Sequence, residues 1–341
     1  AELDAIVSSY VIQTLDFMQL QNIARKVTKY LREETGCLLA RAYLPQQDVT
    51  DGIVRIAIIV GRLDGNVRVS IEEPYRIRRS ILENIAARAI RPDEAIRLHD
   101  LERAVLLIDD LPGISARAYL DKGQLPETSR ITVQASEGRA VSFTATGDNF
   151  GNRYTGYFRR GLQMNVSDGF GRGDSMSVAY LNADGIDQGR ADFALPVGPY
   201  GTYFNASYNG LRYDVGGKLE DLLAKGQAHI FATGLRHPLK RTKKSSLWIG
   251  SGYNLYRMQD KLDEAVTSER DVDVAGVNIS GNFYDGFFGG GLTSLSLALS
   301  QGRVRIDDGK ANDDSGARTA GNFRKTSYTF ARLQRIAKSV S

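Results

Sequence analysis

The chain is poor in the residues that staple, ligate or catalyse. One cysteine among 341 residues excludes a disulfide framework and a cysteine-rich zinc module. That residue, Cys37, follows a helix stop and begins an apolar run, so it reads as a buried thiol. The three histidines, His99, His229 and His237, share no metal-ligand spacing, and no metal or other cofactor is expected. No apolar stretch reaches the roughly 18 residues that a membrane-crossing helix needs. The first residues do not show the charged-then-apolar pattern of a signal peptide. A formal net charge of +4 is too mild to indicate nucleic acid. Gly169, Gly171 and Gly173 are not followed by Lys-Ser/Thr and precede a strand pattern, so they form a turn and not a nucleotide-binding loop. Arg172-Gly173-Asp174 belongs to the same turn and is not read as an adhesion motif. No Ser-His-Asp order stands near a Gly-x-Ser-x-Gly turn, so no enzyme is expected. Asp307-Asp308 and Asp313-Asp314 lack calcium-loop spacing and read as a solvated loop.

What is present is divided unevenly. Seven of the 35 glycines and six of the 30 aromatic residues lie before position 139. The net charge is −2 up to residue 138 and +6 beyond it. A single globular domain rarely changes character so sharply, which places the main boundary near Gly138.

The first part reads as two small α/β units, over 1–63 and 64–138. Leu3, Ile6, Val7 and Tyr10 share one helical face. A second helix over 17–34 carries Leu20, Ile23, Val27 and Leu31, with Asp16 and Gln19 at capping-box spacing and Gly36 as its stop. Strands are predicted over 38–44 and 53–60, with a turn over 45–52. The pattern then repeats: strand 67–71, helices 77–89 and 99–108, a break at Leu111-Pro112-Gly113, and strands 114–120 and 130–135. The order is β-α-α-β-β, and the first unit has the same order without an initial strand. The segments LLARAYLP (38–45) and ISARAYLD (114–121) occupy equivalent positions. A three-stranded sheet covered by two helices leaves one edge free to accept an added strand. The residues assigned to such capture are Ile114, Ser115, Ala116, Arg117, Ala118, Tyr119 and Leu120, flanked by Leu101 and Val105.

Beyond residue 138 no sustained helical pattern appears, except a short one over 218–224. Alternating runs of about ten residues replace it, as in membrane β-strands, with a soluble antiparallel β-sandwich as the alternative. Phe158, Leu162, Met164 and Val166 alternate with Thr155, Arg159, Gln163 and Asn165. Ala191, Phe193, Leu195 and Val197 alternate with Gln188, Arg190 and Asp192. Leu295, Leu297 and Leu299 alternate with Ser294, Ser296 and Ser300. Arg160 interrupts one apolar face and is placed near a membrane interface. Further strands fit 139–149, 174–183, 201–213, 227–238, 245–258, 271–284 and 322–333, about ten in all. Aromatic residues near strand ends (Tyr200, Tyr203, Phe204, Tyr253, Tyr256, Phe283, Tyr284, Phe287, Phe288) suggest interfacial girdles. Longer polar connections are expected over 259–270 and 307–322. The basic turn at Lys240-Arg241-Thr242-Lys243-Lys244 reads either as a solubilising turn or as a contact for acidic lipid or substrate. The last residues, Ala337 to Ser341, lack the terminal aromatic usual in bacterial barrels, so an incomplete barrel is expected.

The whole chain resembles the outer-membrane transporter component of two-partner secretion, the haemolysin secretion/activation family, within the larger outer-membrane protein-assembly superfamily. The resemblance is carried by ARAYLPQQDVTDGIVRIAIIVGRL (40–63), DDLPGISARAYLDKG (109–123), TGDNFGNRYTGYFRRG (146–161), GFGRGDSMSVAY (169–180) and LRHPLKRTKKSSLWIGSGYNLY (235–256), in the family's order and spacing. It implies two periplasmic polypeptide-transport-associated (POTRA) domains of α+β class, followed by an antiparallel transmembrane β-barrel in the outer membrane over 139–341. It further implies export of a large secreted partner polypeptide, haemolysin- or adhesin-like, by a monomer in contact with outer-membrane lipid, without nucleotide. Set against the family, the chain lacks a signal peptide, a plug helix, the first strand of the first POTRA domain, and the inward loop with its Val-Arg-Gly-Tyr/Phe motif. About ten of sixteen strands are expected, as in a piece of a longer protein. The alternative is a passive porin with periplasmic docking domains.

Overall fold

The structure is a computed structural model that describes residues 2–49, 52–92 and 94–336. The turn residues at 50 and 51 and the terminal run 337–341 lie outside the described residues. The chain begins with α1 (Glu2–Ser8) and α2 (Phe17–Glu33). A complete capping box starts α2: the Gln19 amide donates to Asp16 Oδ1 at 2.6 Å, and the Asp16 amide donates to Gln19 Oε1 at 2.8 Å. Aspartate thus serves where Ser or Thr is more usual, because any short oxygen acceptor can satisfy an orphan N–H of the first turn. Strands β1 (Ala40–Tyr43) and β2 (Ala57–Val60) pair antiparallel. Ala24, Val27, Leu31, Ala40 and Ala42 form a buried cluster, with Leu3, Ile6, Val7 and Ile56 packed against it. Cys37 belongs to the margin of this cluster and is half-buried, not buried as the sequence suggests. It forms an isolated bridge with Arg97, ahead of β1, so it lies outside the strand that would have enclosed it.

The second set comprises β3 (Arg62–Leu63), β4 (Arg68–Ile71), α3 (Arg79–Ala89), α4 (Leu98–Asp109), β5 (Ile114–Lys122) and β6 (Thr128–Glu137). β6 is central, with β4 and the short β3 parallel to successive parts of it, and β5 also pairs with it. Leu82, Ile85, Ala86, Leu101, Ala104, Leu107 and Ile108 of the helices are buried, as are Ile131, Val133 and Ala135 of β6. The sequence repeat has a structural counterpart. In β1, Ala40 and Ala42 are buried while Arg41 and Tyr43 are exposed, and in β5, Ala116 and Ala118 are half-buried while Arg117 and Tyr119 are exposed.

Ten strands follow: β7 (Val141–Asp148), β8 (Arg159–Ser167), β9 (Ser175–Ala183), β10 (Ile186–Val197), β11 (Thr202–Asp214), β12 (Lys225–Arg241), β13 (Ser245–Leu262), β14 (Ala265–Asp285), β15 (Gly291–Ile306) and β16 (Gly321–Gln334). They form one antiparallel sheet in strict chain order, with β7 and β16 as its edges. A 3₁₀ turn at Gly217–Leu222 stands where a short helical pattern is expected, and α5 (Lys310–Ser315) occupies the connection before β16. The long polar loop expected over 259–270 is absent. β13 and β14 run on through it and meet at a two-residue turn, Asp263-Glu264, with φ of 48° and 63°. Two consecutive positive-φ residues fit the twist of a tight hairpin, and the polar composition reflects strand that has left the apolar band.

Cα packing divides the chain into two compact units. One comprises Ala1–Glu72, Leu82–Ile108 and Ala116–Ser136. The other joins the ten-stranded sheet with two short segments, Glu73–Ile81 and Asp109–Ser115.

Candidate functional site

Side chains alternate between the two faces of a strand, and the register extends that alternation across the sheet. One row of paired residues reads Asn165, Ser177, Asp192, Ser207, Ala232, Asn254, Val274 and Gly302. The neighbouring row, on the opposite face, reads Val166, Met176, Phe193, Ala206, Thr233 and Tyr253. Large apolar residues of that second face are among the most exposed in the chain, including Leu162, Val178, Phe231, Val277 and Leu299. We call this face outward and the small, polar one inward.

The inward face is built for water. A cavity of about 530 Å³ lies along it, lined by Asn165, Ser177, Asp192, Asn205 and Ser207. Ser177 Oγ donates to Asp192 Oδ2 at 3.0 Å, and the Arg190 guanidinium holds the same carboxylate at 2.8 Å. Such pairs satisfy the charges locally. Near the chain-entry end, the single tryptophan, Trp248, is buried with the Arg236 guanidinium 3.8 Å above its ring. Three aromatics read as girdle residues prove otherwise. Tyr203, Tyr256 and Tyr284 share the inward face, because their positions have the parity of Asn205, Asn254 and Val274. Tyr253 does face outward but stands mid-strand, since β13 is 18 residues long. Arg160 is exposed on the outward face, one residue inside the start of β8.

A second constellation gathers at the turns on the chain-entry end. Glu137 Oε2 accepts the Arg76 and Ile77 amides at 2.5 and 3.2 Å, and its carboxylate pairs with the Arg76 guanidinium. The turn between β8 and β9 is held from within: Asp168 Oδ1 accepts the Gly173 amide at 2.6 Å, and Asp174 accepts the Phe170 amide at 3.0 Å. The Arg78 amide donates to Gly171 O at 3.0 Å. Gly171 has φ of 69°, and a Cβ there would lie 2.8 Å from Arg76 O, so glycine is required on two counts. Asp168 is fully buried, and Asp168 Oδ2 has no hydrogen-bond donor among the described residues. Burial, reinforced by the facing Glu137 and Asp174 carboxylates, raises the Asp168 carboxyl above the usual range.

The basic turn after β12 takes part in the same constellation. Arg241 donates from Nε and Nη2 to the two carboxylate oxygens of Asp110 at 2.8 and 2.6 Å. Tyr203 Oη donates to Asp110 O at 3.1 Å. Arg241 is therefore engaged within the chain. Nothing local in the sequence signals this pair, whose members are 131 positions apart.

The residues expected to capture a strand all lie on or near β5. Ile114 and Leu101 are buried, Val105, Ala116 and Ala118 are half-buried, and Ser115, Arg117, Tyr119 and Leu120 are exposed. Ile114 and Ser115 pack with the ten-stranded sheet, and the rest belong to the α/β unit. Within its own sheet β5 is an outer strand, because β6 is its sole partner among the described strands.

The chain matches two known families. Residues 1–61 match the ShlB-type POTRA domain. Residues 127–340, well over half of the chain, match the haemolysin secretion/activation protein ShlB/FhaC/HecB. The chain belongs to the ShlB/FhaC/HecB family. It is 25% identical over 344 residues to the heme/hemopexin transporter protein HuxB of Haemophilus influenzae (strain 86-028NP), covering 99% of this chain and 60% of that one. It is 23% identical over 326 residues to the outer membrane transporter CdiB of Escherichia coli O6:K15:H31, covering 92% and 54%. Among solved structures, CdiB from Escherichia coli superposes with a TM-score of 0.75 at 21% identity, over 96% of this chain and 61% of the other. CdiB from Acinetobacter baumannii gives 0.63 at 16%, over 89% and 58%. The chain thus spans about three fifths of the length of these relatives. Members of the family are secretion and transport proteins of the outer membrane. In this ShlB/FhaC/HecB-family chain the ten-stranded sheet is the outer-membrane portion and the α/β part is periplasmic.

Proposed function

We propose that this chain is part of a monomeric translocator that passes an extended, secreted partner polypeptide from periplasm to cell surface. In this reading 1–63 and 64–138 act as two POTRA domains and 139–341 as the barrel portion. The observation that carries the reading is the inward face: rows of Ser, Asn, Gly, Ala and neutralised Asp–Arg pairs that solvate a polypeptide without binding its side chains. Capture begins at β5, whose outer edge offers backbone N–H and C=O groups to an incoming strand. Folding of the partner outside would supply direction, and the reading requires neither catalysis nor nucleotide.

Successive residues of a strand point their N–H groups to opposite sides. Proline at Arg117 and proline at Ala118 therefore remove donors from opposite edges of β5. Of these two variants, the one that leaves the α/β fold intact by circular dichroism should lose partner binding at least tenfold, read by titration with the partner's secretion domain. Undiminished binding by that folded variant would overturn the capture step. Deletion of residues 2–138 separates export from passive conduction: secretion should stop. Secretion that continued would favour the passive channel.

A further inference from the structure

The outward face changes character along each long strand. On β12 the outward residues run His237, Leu235, Thr233 and Phe231, then His229, Gln227 and Lys225. On β13 they run Ile249, Ser251, Tyr253 and Leu255, then Arg257, Gln259 and Lys261. On β15 they run Leu295, Leu297 and Leu299, then Gln301, Arg303 and Arg305. The change occurs toward the end of the sheet away from residue 138, where the chain enters, and so toward the cell surface.

The charged residues there are organised. Arg257 reaches Asp271 at 3.4 Å and Asp273 at 3.5 Å, and Arg305 reaches Asp273 at 2.6 Å and Asp271 at 3.9 Å. Arg303 lies opposite Asp273 in the register and makes no ion pair among the described residues. With Arg324 opposite Gln301 and Glu269 opposite Gln259, four guanidiniums thus face three carboxylates on this side of the sheet. Two and four residues further along β13, Gln259 and Lys261 help line a groove of about 340 Å³ that also holds Arg212, Lys225 and Gln227, with Asp214 and Glu264 as its carboxylates.

We propose that this outward band, centred on Arg257, Arg303 and Arg305, binds the phosphate groups of a phosphorylated glycolipid of the outer leaflet. Height selects the occupant. A lipid whose acyl chains cover Leu295, Leu297 and Leu299 carries its headgroup one or two outward positions higher, each such step being about 6.6 Å along the strand. Arginine meets phosphate through two parallel N–H donors. Asp271 and Asp273 hold Arg257 and Arg305 in place beforehand, which lowers the ordering cost of binding. The excess positive charge matches a multiply phosphorylated headgroup. The proposal rests on the membrane placement of the sheet and not on export, so a lipid-binding readout tests it apart from secretion.

The test is a titration of the detergent-purified protein with bisphosphorylated lipid A and with its dephosphorylated form, read by native mass spectrometry. At about fivefold per charge removed, the R257A/R303A/R305A variant should bind bisphosphorylated lipid A about a hundredfold more weakly. Wild type should bind the dephosphorylated lipid with a comparable deficit. Folding is checked by the heat-dependent shift in gel mobility of the barrel. Because Arg303 has no ion-pair partner to disrupt, the single variant R303A keeps the network intact and should lose about fivefold. Undiminished binding by folded R303A and the triple variant would overturn the proposal. So would equal affinity for the two lipids, or displacement of lipid A by equimolar inorganic phosphate.

Discussion

The α/β part and the sheet dispose of the same residues in opposite ways. In the former, Leu82, Ile131 and Val133 are 0% exposed. In the latter, Leu297, Leu299 and Val277 are 46%, 49% and 53% exposed, while serine and asparagine fill the other face. Both arrangements follow one rule, that apolar surface leaves water. In the α/β part the refuge is the domain's own core, and in the sheet, on the proposed reading, it is the bilayer. Sequence hydrophobicity alone does not separate the two; the period does, since helices bury a stripe of period 3.6 and the membrane strands a face of period 2.

This comparison can be tested by removing or reversing one residue at a time. The largest effect is expected for Leu82→Ala, which opens a cavity in a closed core and should cost about 2–5 kcal/mol, read by hydrogen exchange at the β6 amides. Leu297→Arg should cost about 2–4 kcal/mol in a bilayer, where charge on the lipid face is least tolerated. Ser296→Arg, one residue away on the wet face, should cost under about 1 kcal/mol by the same unfolding measurement. Equal costs at 296 and 297 would invalidate the assignment of faces. Arg241→Ala breaks a doubly hydrogen-bonded pair that is only about one-fifth exposed. It should cost about 1.5–3 kcal/mol, seen as faster exchange over 109–115.

The smallest effect is a pH dependence. The carboxyl of Asp168 is raised in the folded state, so the fold binds a proton that the unfolded chain releases. Its stabilising contribution is complete below the ordinary aspartate range and is lost as pH rises through the raised folded value. Exchange at the Gly173 amide, corrected for intrinsic rate, should therefore accelerate with pH through that window. Asp168→Asn, which mimics the neutral acid, should abolish the trend.

All ten sheet strands were legible because each must satisfy two solvents at once, and Leu295 to Ser300 record that demand residue by residue. Legibility fails where the demand lapses. From Gln259 to Arg270 neither face is apolar, alternation disappears, and a tight hairpin at Asp263-Glu264 passes for a loop. The helices of the α/β part were equally readable from stripe and cap, as at Asp16 and Gln19. The turn constellation was not. Asp110 and Arg241 look like ordinary surface charges in their local context, and only the fold brings them together. Parity explains the aromatic misplacements, since clustering near a strand end does not reveal the side to which Tyr203 or Tyr256 points.

Strand length carries a further consequence. The strands lengthen from 8 residues in β7 to 21 in β14. At about 3.4 Å per residue β14 is roughly 70 Å long, so even tilted by about 45° it overshoots an apolar band of about 25 Å. The surplus emerges from the cell as a ridge of continuously paired backbone capped by Asp263-Glu264. Such a ridge resists proteases, which need an unpaired stretch to cleave. Its tip stands clear of the apolar band, carried by paired strand and not by loop.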